Sequence, residues 1–207
     1  MPLKRTIKSD RRSHAKGAPR RGCTSATAQL VHADATVRRH AVRDIVTCDG
    51  ASEAIISRLF LEVDASVREA MLNALATRGD TAAVAGLLEC LRGEDVVLRN
   101  DAVSALTRLP AAVAQIIEPL LADERADVRI LLVNVLESLR HPQVESWLIG
   151  IIERDAHVNV CATALDLLGE VGTEAAAAPL QRLKARFADQ PYIQFAADLA
   201  LERITAV

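Results

Sequence analysis

The sequence predicts an all-α solenoid of about six short helical hairpins, and three observations support this fold class. A motif consisting of an acid, two residues, an aliphatic anchor and usually an arginine recurs along the chain. Helix-breaking residues recur in step with it, and the apolar residues between them are spaced three and four apart. Aromatic residues make up only 2% of the chain, which favours closely packed helices over a sheet sandwich rich in aromatic and β-branched residues.

The aliphatic anchors of the motif set the period of the repeat. Neighbouring anchors are separated by 30, 31, 30, 32 and 33 residues. They are Val37, Val67, Leu98, Val128, Val160 and Ile193. Apolar residues four and eight positions after each anchor complete one face of an amphipathic helix, which we call the B helix of its unit.

Helix breakers and a second apolar stretch complete each unit. The breakers are separated by 29, 31, 32 and 30 residues. They are Gly50, Gly79, Pro110, Pro142 and Gly172. The apolar stretch between a breaker and the next anchor predicts a helix of about three turns, the A helix; in the fourth unit it runs from Val113 to Leu121. One such hairpin cannot bury its own apolar face, so we expect neighbouring units to stack.

The repeated pattern resembles HEAT repeats. The resemblance covers about residues 24–207 and is closest to the short units of phycobilisome-lyase-like and other bacterial proteins, since ordinary HEAT units are nearer 40–47 residues long. It implies a right-handed solenoid in which the acid and the arginine of the motif form a structural ladder between units, the alternative being direct ligand contact. The ladder arginines would be Arg38, Arg68, Arg99 and Arg129.

The resemblance also implies that the B helices line a concave groove where another protein could bind. The fifth and sixth residues after each anchor should lie toward this groove, as an aliphatic and a polar column. The candidate partner-binding residues are Arg43, Asn73, Ser104, Asn134, Asp166, Val103 and Val133. The alternatives are that the aliphatic column packs between B helices and that the polar column is ordinary solvated surface.

The first 22 residues have a different composition from the rest. They hold eight basic residues and one acid, a net charge of +7, which leaves −9 on residues 23–207 because the whole chain carries −2. With few large apolar side chains, residues 1–22 should form a disordered arm attached to the solenoid of residues 23–207. The arm could bind nucleic acid, an acidic protein or an anionic surface, or only aid solubility. Its candidate anion-binding residues are Lys4, Arg5, Arg11, Arg12, Arg20 and Arg21.

The four cysteines are scattered, with no CxxC and no zinc-like spacing, so reduced thiols in a cytoplasmic protein are expected. Cys161 replaces the ladder arginine in the fifth unit, and His157 lies four residues before it. That spacing suits two ligands of a metal site, but no further ligands are recognisable, and broken ladder packing is the simpler interpretation. Cys90 is expected in the core. Trp147 is expected in the core or at the rim of an A helix, the alternative being an exposed binding hot spot.

The sequence therefore predicts a binding scaffold rather than an enzyme, with no catalytic residues, metal or cofactor. Motifs for hydrolases, nucleotide binding and dinucleotide binding are absent from the sequence. No stretch approaches the roughly 20 apolar residues of a membrane span. The expected role is an adaptor in a bacterial regulatory or signalling assembly; the alternatives are anion binding through the arm, and a lyase-type enzyme or chaperone of a cofactor-bearing protein. The oligomeric state is left open.

Overall fold

The computed structural model describes residues 21–205, which form helical hairpins and contain no strand. In the first three units the helices are α1 (Arg21–Gln29), α2 (Ala35–Ile45), α3 (Ala51–Leu59), α4 (Ala65–Arg78), α5 (Thr81–Cys90) and α6 (Val96–Leu106). In the last three they are α7 (Pro110–Ala114), α8 (Ile117–Leu120), α9 (Ala126–Glu137), α10 (Val144–Arg154), α11 (Val158–Val171), α12 (Ala177–Arg186) and α13 (Pro191–Thr205). Within this range no helix is both long and apolar enough to cross a membrane.

The six predicted units are present, and the predicted solenoid is confirmed. The A helices are α1, α3, α5, the pair α7 and α8, α10 and α12, whereas α2, α4, α6, α9, α11 and α13 are the B helices. Each B helix packs against the next one along the chain. The anchors from Val67 to Ile193 are buried, as are all the residues four positions after an anchor, so a single continuous core runs through the stack.

Aspartates fix the start of several helices. Asp34, Asp64 and Asp95 are the N-caps of α2, α4 and α6, and their carboxylates accept hydrogen bonds from backbone N–H groups of the first turn. An N-cap carboxylate satisfies donors that have no partner inside the helix and complements the positive end of the helix dipole. The acid of the repeated motif thus sets where each of these B helices begins.

The A helix of the fourth unit is broken, although the apolar spacing predicts one continuous helix. It consists of α7 and the four-residue α8, with the break at Gln115 and Ile116. Pro119 explains the break, because proline has no N–H to donate to the carbonyl of Gln115 and its ring clashes with that carbonyl. The fourth unit therefore contributes much less helix to the A layer than its neighbours do.

A disulfide joins Cys23 of α1 to Cys48, which follows α2. The expectation of reduced thiols is wrong for this pair: the hairpin brings the two residues, 25 apart in sequence, together at the end of the first unit. Cys90 and Cys161 are free and buried. Burial raises the pKa of the Cys90 thiol to about 12, so this core residue is a poor nucleophile at neutral pH.

Candidate partner-binding face

The ladder arginines connect each B helix to the beginning of the next one. Arg38 binds Glu62, Arg68 binds Asp95, Arg99 binds Asp127 and Arg129 binds Asp155, with N–O distances of 2.6–2.7 Å. Every acid lies in the turn before the next B helix or in its first turn. The same contact in four successive units holds the B helices in register, and it occupies the arginines with structural partners.

The first pair of the ladder is the most buried. The Glu62 side chain has no exposed surface and receives two hydrogen bonds from the Arg38 guanidinium, at 2.7 and 2.8 Å. Burial raises the pKa of Glu62, but the hydrogen bonds from Arg38 and from the backbone N–H of Asp64 outweigh it, so its pKa is lowered. Glu62 is thus ionised at neutral pH and provides a buried counter-ion for Arg38.

In the fifth unit an arginine from another helix takes the place of the missing ladder arginine. The Arg186 guanidinium, from α12, donates to the carbonyl oxygens of Ile152, Glu153 and Asp155, and it lies 3.3 Å from the Cys161 sulfur. The Cys161 thiol itself donates to the Asp155 carbonyl. His157 is exposed at the start of α11, and residues 21–205 contain no cluster of three or more potential metal ligands.

The sixth-position residues form an exposed column on one side of the B helices, which we call the B face. Shallow grooves separate the helices on this side, of about 460 Å³ between α2 and α4, 370 Å³ between α4 and α6, and 220 Å³ between α9 and α11. All the polar residues predicted for this column are exposed: Arg43, Asn73, Ser104, Asn134 and Asp166.

The aliphatic column does not reach the B face as an exposed ridge. Val133 is only 1% exposed and Val103 is half-buried, so their assignment as partner-contacting residues is wrong for Val133 and weakened for Val103. At about 100° per residue, the fifth position lies some 140° from the anchor, on the flank that faces the neighbouring helix. These valines pack within the stack and support the surface above them.

The last unit shows why the fifth position is aliphatic elsewhere. There it is Asp198, which is exposed and pairs with Lys184 of α12. Within residues 21–205 no further helix packs on this flank of α13, and the side chain at the fifth position is charged and exposed.

The charges of the B face differ between its two ends. Arg39 and Arg43 of α2 and Glu69 of α4 line the groove between these two helices, whereas Glu137, Asp166 and Glu170 line the groove between α9 and α11. The face is therefore basic at the first unit and acidic at the fourth and fifth units.

Apolar side chains extend the B face at the sixth unit, and the sequence analysis did not assign Tyr192 and Phe195 to this face. Phe195 is 68% exposed on α13, beside exposed Tyr192 and Leu199, and the Tyr192 hydroxyl donates to the Asp166 carboxylate at 2.6 Å. Exposed aromatic residues are enriched in protein interfaces. The sequence does contain a signal for them. Tyr192 and Phe195 are two of only four Phe and Tyr residues in the chain, and they lie just before and just after the anchor Ile193.

Most of the predicted anion-binding residues of the arm lie outside the residues that the structure describes. Lys4, Arg5, Arg11, Arg12 and Arg20 lie outside residues 21–205. Helix α1 begins at Arg21, two residues inside the segment predicted as arm. The anion-binding role of these residues stays a prediction.

Comparison with known proteins finds a family match in the second half of the chain. Residues 113–202 match the family described as HEAT repeats, and no curated protein gives a significant match. Similar solved structures include an engineered protein (17% identity, TM-score 0.45, covering 88% of this chain and 96% of that one). A second is the complex of CpcE and CpcF of phycocyanin lyase from Nostoc sp. (20% identity, TM-score 0.37, covering 96% of this chain and 99% of that one). A third is a designed armadillo repeat protein (16% identity, TM-score 0.39, covering 88% of this chain and 99% of that one). The family match is limited to residues 113–202, in the fourth to sixth units, and the described first three units continue the same hairpin arrangement.

Proposed function

We propose that this chain is a protein-interaction scaffold that binds a partner protein through its B face. The observation that carries the proposal is the exposed column at the same repeat position in successive B helices, supported from below by buried aliphatic side chains. A regular, rigid row of polar groups suits recognition of an extended partner surface. We propose no catalytic activity for it.

The charges and the aromatic residues suggest the chemistry of the partner. The basic end at Arg39 and Arg43 would accept an acidic segment, and the acidic end at Glu137, Asp166 and Glu170 would accept a basic one. Phe195 and Tyr192, next to the acidic end, would supply the apolar anchor that polar contacts alone lack. The partner would therefore carry an apolar side chain next to a basic patch.

The setting of the scaffold is also a proposal. A bacterial regulatory or signalling assembly fits an adaptor without a catalytic site. The Cys23–Cys48 disulfide argues against the expected cytoplasmic location, because disulfides persist mainly in oxidising compartments. Labelling of free thiols in protein taken directly from cells would decide between the two locations.

The experiment is capture of partners from the source lysate with four full-length baits. They are the wild type, Asn134→Arg, Phe195→Ala and Ser57→Arg; Ser57 is exposed on the A helix α3 and serves as the matched control. We expect Asn134→Arg and Phe195→Ala to lose a partner that the wild type and Ser57→Arg retain. Retention by all four baits would contradict binding at the B face.

The basic arm offers a second candidate function, binding of an anionic partner, which its net charge of +7 favours. A full-length bait with Lys4, Arg5, Arg11 and Arg12 replaced by alanine tests it. Loss of a partner from this bait alone, together with elution of that partner from the wild type by moderate salt, would assign recognition to the arm. Retention of the partner would leave the B face as the binding surface.

A further inference from the structure

The A layer has an open cleft between the fourth and fifth units. It measures about 580 Å³ and lies between α8 and α10, and Leu121, Trp147, Gly150 and Ile151 contribute to its lining. It is larger than the grooves of the B face described above, and its volume lies within the usual range of ligand sites.

The cleft exists because the broken A helix leaves α10 without a full neighbour. In the first half of the stack α3 packs along α5, and further on α10 packs along α12, whereas α8 and α10 make only marginal contact. Pro119 separates α8 from α7, and α8 is only four residues long. One side of α10 therefore lacks the helix that a regular solenoid would place there.

Two glycines show what this missing helix would contribute. Gly86 of α5 faces α3, and a Cβ atom at Gly86 would clash with the side chain of Ile56; the isoleucine fills the space that the glycine leaves. Gly150 of α10 also faces the preceding unit, since it lines the cleft opposite Leu121. No atom of that unit lies within 4 Å of where its Cβ would be, and only the Arg154 guanidinium of the same helix lies there.

The charges of the cleft are paired except at its rim. Asp155 pairs with Arg129, and Asp123 pairs with Arg92. Two further charged residues line the cleft, Arg154 and Glu118. Neither side chain has a hydrogen-bond or ion-pair partner within residues 21–205, and Arg154 lies one helical turn after Gly150. An incoming group would meet apolar side chains flanked by a cation on α10 and a carboxylate on α8.

We propose that the cleft binds an amphipathic helix of a partner protein, which completes the A layer by inserting an aliphatic side chain over Gly150. A-helix neighbours in the stack run in the same direction because each unit repeats the same hairpin. A helix bound parallel to α10 would place a residue one turn after its aliphatic side chain next to Arg154, and a carboxylate there would pair with the guanidinium. This site is separate from the B face and goes beyond the proposed function.

The probe for this proposal is a helix taken from the chain itself. A peptide of residues 50–62, linked to hold its helix, carries Ile56, the side chain that fills the space at Gly86; Phe60→Glu adds the carboxylate one turn later. Trp147 is the only tryptophan of the chain and lies in the cleft, so its fluorescence in the full-length protein reports binding directly. The peptide contains no tryptophan.

We expect a saturable change in Trp147 emission with this peptide. Replacing Ile56 by Asp in the peptide should weaken binding at least about tenfold, since a charge would enter an apolar site. In the protein, Gly150→Leu should fill the space and abolish binding, whereas Ser57→Arg on α3, away from the cleft and the B face, should leave it unchanged.

A charge exchange keeps the test valid if Gly150→Leu does not fold. Arg154 is exposed, so the Arg154→Glu variant should fold. It should bind the peptide with Glu at position 60 several-fold more weakly than the wild type does, and it should bind the same peptide with Lys at that position more tightly. No saturable response of the wild type up to millimolar peptide would overturn the proposal. A response to hexanol but not to the peptide would also overturn it and would assign the cleft to a small apolar ligand.

Discussion

The first three units and the fourth and fifth units solve the same packing problem differently. At α3 and α5 the A layer is continuous: Ile56 fills the space above Gly86, Glu62 is a fully buried counter-ion, and a disulfide closes the first unit. At α8 and α10 the A layer is open, and Gly150 faces a cleft. Cys161 occupies the ladder position of the fifth unit, and the guanidinium beside it comes from Arg186. The A layer is thus closed between α3 and α5 and open between α8 and α10.

The largest expected effect is loss of the buried counter-ion in the first half. Glu62→Ala leaves the Arg38 guanidinium without its partner in the core, which should lower the free energy of unfolding by about 3 kcal/mol. The matched control is Asp127→Ala, whose side chain is 46% exposed and whose loss should cost less than about 1 kcal/mol. Urea unfolding measures both, and equal effects would contradict the difference in burial.

Loss of the disulfide should lower the free energy of unfolding by nearly as much. Cys23→Ser should destabilise the chain by about 3 kcal/mol, because the bond closes a loop of 25 residues in the unfolded chain. Cys48→Ser should have the same effect, and the double variant should be no less stable than either single variant. Thermal unfolding with and without reductant checks this, and a wild type unaffected by reductant would contradict it.

The two glycines should respond to the same substitution with opposite signs. Gly86→Ala forces the Ile56 side chain to move within a packed core and should destabilise by about 2 kcal/mol. Gly150→Ala only displaces a flexible guanidinium and should stabilise by up to about 1 kcal/mol, since alanine favours the helix. Denaturant unfolding of the two variants compares them, and destabilisation by Gly150→Ala would show that the cleft is already filled.

How far the sequence could predict these features depends on how far apart in the chain the residues that form them lie. The unit boundaries, the B-helix anchors and the exposure of Asn73 and Asn134 follow from local periodicity. Val133 was misplaced because the flank of a B helix is buried only when a neighbouring unit packs on it. The break at Pro119 was readable from proline chemistry, yet the apolar spacing around it still predicted one helix.

The long-range features could not be derived from the chain pattern. Cys23 and Cys48 form no recognisable motif, and only the folded hairpin brings them together. The cleft likewise depends on what is missing opposite Gly150, which no property of α10 reveals. The replacement of the ladder arginine by Arg186 joins residues 25 apart in different elements.

The smallest expected effect is on the response to acid. The pKa of Glu62 is lowered in the folded chain, so its contribution to stability is present above its ordinary value of 4.5 and is lost as the pH falls through the lowered value. The melting temperature should therefore begin to fall below about pH 4.5. Glu62→Gln should show a shallower decline, and an identical decline would contradict a buried, ionised Glu62.

The most direct test of the central claim is hydrogen–deuterium exchange of the full-length protein with and without its captured partner. We expect slower exchange in the B helices, above all in α9, α11 and α13, and no change in the A helices α3 and α5. Protection of α8 and α10 in addition would place the same partner in the cleft. Protection confined to A helices, with the B helices unchanged, would contradict recognition through the B face.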